Sequence, residues 1–326
     1  MGDNMKVSIL GCGAYGLSLR HILVSNKIDV CSWTYNEEEC NNLIKTRKSS
    51  KLKGYKIIGD MNITSNLEEC VKDSNLVVIA VPAFAFEETI KNLKNHISKN
   101  SVVLIATKGI EQNKCLFLDE IFRLYLKNKF GVISGPTFAE DIVKNSSIGF
   151  SLAIKHKEVD KIVRSCFENE TTKFRTTRDI RGIEICGSIK NVMAIASGML
   201  SGMNVTDSTR ALFLTESMND IKELIKYLGG RKKSILSFAG FGDILMTCTS
   251  TKSRNYSFGY LIGNGASKKE IDNYLETTTV EGMYTLKSIH KLVRKKKVKM
   301  PIINLIYDII TSKKEKEDML KFLIEK

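Results

Sequence analysis

Residues 6–16 read Lys6-Val7-Ser8-Ile9-Leu10-Gly11-Cys12-Gly13-Ala14-Tyr15-Gly16, an apolar pentad running straight into a glycine-spaced turn. Helical spacing follows from Ala14 to Ser25 through Tyr15, Leu17, Leu19, Ile22 and Leu23, so the order is strand, turn, helix. In G-x-G-x-x-G, Gly11 permits the tight turn, Gly13 lets a ligand approach the backbone, and Gly16 packs helix on strand. An anion then meets the positive helix end. The pattern alone is weak; its place between strand and helix strengthens it.

Outward from this stretch, apolar runs recur at Ile28–Trp33, Asn75–Val81, Val102–Thr107 and Gly131–Ser134, with helical segments such as Phe84–His96 and Lys114–Lys127 between them. Further strands are expected near Gly149–Ile154 and Lys173–Thr176. Continuous apolar strands alternating with helices argue an α/β fold with a doubly wound, mostly parallel sheet of the Rossmann type. From about Ile180 the pattern becomes helical with little strand signal. We therefore expect a dinucleotide-binding domain over 1–180 and an all-helical substrate-binding and catalytic domain over 181–326.

Bulk properties narrow the class. The chain has 326 residues, suited to two cores, and 43% of them are hydrophobic. The longest nearly apolar run, Leu76 to Phe86, contains Pro82 and is too short to span a bilayer. No leader, myristoylation signal at Gly2 or C-terminal address at Ile324-Glu325-Lys326 is read, so a cytoplasmic protein without an integral membrane segment is expected. The eight cysteines form no Cys-x-x-Cys pair, and His21, His96, His156 and His290 match no ligand spacing, which argues reduced thiols and no metal. A net charge of +14 with basic runs at Arg231-Lys232-Lys233 and Arg294–Lys297 lacks interleaved aromatics. It reads as solvation and steering of small anions, with no nucleic-acid partner.

Lys190 stands out within Gly187–Gly198, a stretch apolar on every helical face and hence interior. An ammonium taken out of water must meet a counter-charge, lose its proton or face a cleft, unless it snorkels to solvent. At the carboxyl edge of the sheet, where open α/β sheets bind ligands, lie Ala106-Thr107-Lys108-Gly109 and Ser134–Glu140. In the helical part, Phe241–Cys248 leads to Ser253-Arg254-Asn255, whose arginine can grip a phosphate or a carboxylate, or stand at the surface. The second strand ends in Ser32-Trp33-Thr34-Tyr35, with neither an acid for an adenosine ribose nor an arginine for a 2′-phosphate. Glu37–Glu39 read as the exposed start of a helix. NAD versus NADP therefore stays open.

These segments, with Val81-Pro82, Val280-Glu281-Gly282 and Met300-Pro301-Ile302, together resemble bacterial-type NAD(P)-dependent glycerol-3-phosphate dehydrogenase along the whole chain. The resemblance implies interconversion of dihydroxyacetone phosphate and sn-glycerol 3-phosphate, feeding glycerophospholipid synthesis. It implies Lys190 as proton donor and acceptor, with Lys108 and Asp243 completing the catalytic set. Gly135, Thr137, Ser253, Arg254 and Asn255 would contact the substrate together with Lys108, Lys190 and Asp243. Gly11, Gly13, Ala14, Tyr15, Gly16, Trp33, Tyr35, Lys108, Ala139, Arg254, Thr279 and Glu281 would line the cofactor. Ser188, Ser201, Glu216 and Tyr35 depart from the family's usual residues; the last three bear on cofactor preference, local ion pairs and regulation. A two-domain dehydrogenase acting on a 2-keto or 3-hydroxy acid, and a non-catalytic NAD(P)-binding sensor, are the alternatives. A homodimer is an open expectation.

Overall fold

The computed structural model describes residues 5–325; Gly2 and Lys326, on which the terminal-signal expectations rest, lie outside them. Its contacts separate the chain into two compact units, Met1–Lys108 with Leu118–Ile180, and Gly109–Phe117 with Arg181–Lys326.

In the first unit β1 (Lys6–Leu10) turns into α1 (Ala14–Ser25), followed by β2 (Asp29–Trp33), α2 (Glu37–Thr46), β3 (Ile63–Thr64), α3 (Leu67–Val71), β4 (Leu76–Ile79), α4 (Ala83–Leu93) and β5 (Val102–Ile105). Then come α5 (Leu118–Tyr125), β6 (Phe130–Ser134), α6 (Ala139–Ile142), β7 (Ile148–Ile154), α7 (Lys157–Phe167) and β8 (Thr172–Thr177). The sheet order is β3-β2-β1-β4-β5-β6-β7-β8. Strands β1 to β6 run parallel, β7 is antiparallel to β6, and β8 is parallel to β7. The chain leaves β1 toward β3 and returns to β4 on its other side. The reversal puts the carboxyl ends of β1 and β4 at the switch point where such sheets take ligands. Strands β4 and β5 are buried at every position, as a sheet covered on both faces requires. Val7, Ile9, Leu19, Leu23, Val78, Leu104 and Phe150 share one apolar core.

The helix expected over Lys114–Lys127 begins only at Leu118. Glu111 is the reason: its carboxylate accepts the backbone N–H groups of Asn113 at 3.0 Å and Lys114 at 2.5 Å, and Ile110 pairs with Phe117 as an antiparallel bridge. This short excursion joins the helical unit. Lys291 Nζ donates to Asn113 O at 3.3 Å, and the Arg181 guanidinium lies 4.0 Å from the centre of the Phe117 ring.

The second unit holds α8 (Ile180–Gly202), α9 (Asp207–Tyr227), a 3-10 turn (Lys232–Leu236), a π turn (Phe238–Gly242), α10 (Asp243–Cys248), α11 (Arg254–Gly263), α12 (Lys268–Thr277), α13 (Glu281–Lys295), α14 (Pro301–Ile310) and α15 (Asp318–Glu325). Helix α8 is long and apolar enough to cross a membrane by composition, yet its apolar window is wholly buried within the chain. A helix apolar all round finds that burial in a protein core. Glycines let α11 approach it: a Cβ on Gly259 would stand 1.9 Å from Ile195 O, and one on Gly198 2.0 Å from Tyr256 O.

Candidate active site

In the first unit the turn after β1 is built by sterics. Gly11 has φ +115, and a Cβ there would meet Ala80 O at 2.8 Å, so the crossing beside β4 admits only glycine. A Cβ on Gly16 would fall 1.9 Å from Gly11 O. Gly13 differs, because a Cβ there would have no neighbour within 4 Å. Space is left above the middle glycine. Gly13 also caps α1 without a side-chain bond, and no acidic residue occupies the first turn. Helix N–H groups facing open space, free of competing carboxylates, fit the pyrophosphate of a dinucleotide.

Around that edge the structure gathers several of the expected residues. Lys108 follows β5; its Nζ donates to Gly135 O at 3.5 Å and lies 5.2 Å from the centre of the Tyr15 ring. The hydroxyls of Tyr15 and Thr137 are 3.5 Å apart, and Thr137 Oγ1 donates to Gly135 O at 3.2 Å. Gly135 tolerates no side chain, since its Cβ would stand 2.1 Å from Gly149 O. Ala14 and Ala139 pack on one small apolar cluster with Cys12 and Leu17. Beyond β2, Trp33 Nε1 donates to Ser65 O at 3.0 Å, while Tyr35 is 80% exposed.

In the second unit Lys190, on α8, meets Asp243, the first residue of α10. Its Nζ donates to Asp243 Oδ1 at 2.6 Å, with side-chain exposures of 10% and 0%. The apolar surroundings that bury the lysine thus also bury its counter-charge. Asp243 is delivered by the π turn, a local over-coiling often found at functional sites. Thr247, one helical turn on, donates its hydroxyl to Asp243 O at 2.6 Å and lies 3.3 Å from Oδ1. Burial pushes the neighbouring Cys248 thiol well up; the nearby Lys190 pulls it down and Asp243 pushes it up further. Cys248 stays a neutral thiol beside a charged pair.

Two helix starts complete this side. Ser253 caps α11 by accepting Tyr256 N–H at 3.3 Å, and Asn255 Oδ1 accepts Gly282 N–H at 2.8 Å at the start of α13. Both side chains, expected as substrate contacts, therefore also hold the fold. Arg254, between them, is exposed at the first position of α11 with no acidic residue in that turn. A cation there opposes the helix dipole, an arrangement an incoming anion would relieve. Thr279 is exposed. Glu281 opens α13, and Asn191 Nδ2 donates to its carboxylate at 3.4 Å. Asn191 and Thr247 were not singled out by sequence. The i,i+4 spacing of Asp243 and Thr247 was a usable signal for the second; nothing local marked the first.

Of the four departures, Ser188 Oγ donates to Glu184 O at 2.7 Å within α8, and Ser201 Oγ accepts from Arg210 at 3.4 Å. Among the described residues, no group of three or more His, Cys, Asp or Glu could hold a metal ion.

A doubly wound sheet with an open glycine turn at its switch point, followed by helices that bury a Lys–Asp pair, defines a dinucleotide-dependent oxidoreductase. Models of NAD-dependent glycerol-3-phosphate dehydrogenase match residues 6–160 with their N-terminal part and 179–321 with their C-terminal part. The glycerol-3-phosphate dehydrogenase [NAD(P)+] of Teredinibacter turnerae is 32% identical over 97% of this chain and 93% of its own. That of Thermoanaerobacter sp. is 34% identical over 94% and 92%. The crystal structure of glycerol-3-phosphate dehydrogenase from Coxiella burnetii superposes with a TM-score of 0.93 at 27% identity, covering 99% of each chain. The chain belongs to the NAD(P)-dependent glycerol-3-phosphate dehydrogenase family.

Proposed function

We propose that the chain interconverts dihydroxyacetone phosphate and sn-glycerol 3-phosphate with NAD(P)H, and that Lys190 is the proton donor and acceptor. The observation carrying this reading is the 2.6 Å contact between Lys190 Nζ and Asp243 Oδ1 in a buried setting. Nicotinamide, when bound, supplies the hydride to the carbonyl carbon. Negative charge then grows on the carbonyl oxygen, where a fixed ammonium stabilises it and hands over a proton. Asp243 holds that ammonium in place through the 2.6 Å contact and supplies its counter-charge. Thr247 in turn fixes Asp243, so the amine is oriented before substrate arrives.

Gly11, Gly13 and Gly16 would hold the pyrophosphate against the start of α1, with Ala14, Tyr15, Lys108 and Ala139 beside it. Trp33 and Tyr35 would bound the adenosine end, and Thr279 and Glu281 would add contacts from the helical unit. Arg254 would grip the substrate phosphate, with Ser253, Asn255, Gly135 and Thr137 orienting it. Domain limits at 1–180 and 181–326 go with this division of labour. The same reading takes the eight cysteines as reduced thiols of a cytoplasmic protein and includes homodimerisation.

Steady-state kinetics with dihydroxyacetone phosphate and each reduced nicotinamide test the assignment. Consumption of NADH or NADPH is expected, with three-carbon 2-keto acids inert. A flat absorbance trace at 340 nm with both cofactors, or preference for the keto acid, overturns it.

A further inference from the structure

The adenosine end of the nucleotide cradle carries a device that the strand ending Ser32-Trp33-Thr34-Tyr35 does not advertise. Gly11 N–H donates to Trp33 O at 2.8 Å, so Thr34 lies directly beside the first glycine of the turn. Three glutamates open α2 and Asn36 caps it, accepting Glu39 N–H at 2.7 Å. Glu39 does not point away like an ordinary first-turn acid. Its side chain is only 20% exposed and folds back over the end of β2. Oε2 accepts the Thr34 hydroxyl at 2.7 Å, and Oε1 accepts Lys51 Nζ at 2.5 Å. Both oxygens are thereby held. The charge is felt in the turn itself: after burial, Glu39 is the next largest influence pushing the Cys12 thiol up, to about 12.

We infer that Glu39, pinned by Thr34 and Lys51, is the residue that selects NAD over NADP in this chain. The inference rests on the dinucleotide reading of the cradle. In a Rossmann turn the adenosine ribose lies beyond the second strand, where a carboxylate accepts the 2′-hydroxyl and a cation accepts a 2′-phosphate. Glu39 presents the carboxylate. A 2′-phosphate brought there would face Glu39 with Glu37 and Glu38 close by in sequence, while the half-exposed Lys51 is already engaged by Glu39. Like charges at that range disfavour binding. Arg47, the nearest arginine in sequence, is committed elsewhere, donating to Gly59 O at 3.0 Å and Ile57 O at 3.4 Å.

Binding rather than turnover tests this. Trp33 is the chain's one tryptophan and sits at the end of β2, so its fluorescence reports ligand at the adenosine end. Titration of the full-length protein with NADH and NADPH, confirmed by calorimetry, is expected to show tighter binding of NADH. In Glu39→Gln, which keeps an oxygen for Thr34 but removes the charge, the ratio of the two dissociation constants should move toward NADPH by about tenfold. Competition by 5′-AMP and by 2′,5′-ADP should show the same shift on fragments, which keeps the test decisive if the variant handles whole cofactors poorly. Wild type that prefers NADPH, or a ratio unmoved in Glu39→Gln on both cofactors and fragments, overturns the inference. Failure of wild type to bind either cofactor would instead sink the dinucleotide reading beneath it.

Discussion

Lys190 Nζ stands 2.6 Å from Asp243 Oδ1, and the aspartate has no exposure to solvent at all. Fifty-three residues separate the two in sequence. A buried ion pair is weak support for stability, because desolvating two charges offsets much of their attraction. Its presence in the core of a helical unit points to use rather than to scaffolding.

Lys190→Ala and Lys190→Arg separate these roles. Alanine leaves the Asp243 carboxylate buried and uncompensated, at a cost of about 3–5 kcal/mol in folding stability. Arginine keeps a cation for Asp243 but surrenders a proton far less readily. Both are expected to lower kcat by about a hundredfold or more, while only alanine lowers the urea midpoint strongly. Near-normal kcat in a folded Lys190→Arg enzyme would remove the lysine from the chemistry.

Of the three glycines in the turn, Gly13 faces open space, whereas Gly11 and Gly16 face the protein. Gly13→Ala places its methyl in open space and should change stability by less than about 1 kcal/mol, while weakening NADH binding roughly tenfold. Gly16→Ala drives a methyl to 1.9 Å from Gly11 O and should destabilise the first unit by about 2 kcal/mol or more. Thermal unfolding and calorimetric titration of the two variants read both effects. Equal loss of stability in the two would contradict the assigned spaces.

Cys12 gives the chain an alkaline weakness. Burial raises its folded-state value to about 12 against 9.0 for the free thiol, so above pH 9 the unfolded chain sheds a proton that the folded chain retains. Stability is intact below pH 9 and falls as the pH rises toward 12. At pH 10 the loss is about 1 kcal/mol from this group. Urea unfolding of wild type and Cys12→Ala at pH 7 and pH 10 should show a smaller drop in the variant; identical drops would place the alkaline sensitivity elsewhere.

Much of the cradle was legible because it is local. Gly11, Gly13 and Gly16 act within a few residues of one another, and the apolar spacing of α1 follows directly, so sterics and periodicity suffice to read them. The interior position of Lys190 was legible for the same reason, through the apolar residues on every side of it. Other features were not. The two-residue β3 is too short to carry a period, and α7 buries a single apolar face of Val159, Val163, Cys166 and Phe167 between two strands. Lys114–Phe117 reads as helical by spacing, but the Glu111 carboxylate accepts the backbone N–H groups of Asn113 and Lys114 and holds the segment's start in a turn.

What this sequence determined unaided is the kind of structure each segment takes: strand into glycine turn into helix, then a long apolar helix with one cation inside it. Those outcomes follow from backbone sterics and from the cost of exposing apolar surface, both of which act between near neighbours. Only the tertiary structure decided which distant groups answer one another. Asp243 reaches Lys190, Asn255 reaches Gly282, and Lys51 reaches Glu39 across separations that no pattern encodes. Hydrogen bonds and ion pairs are settled by where packing delivers their ends, so the chemistry of both candidate sites waited on the fold.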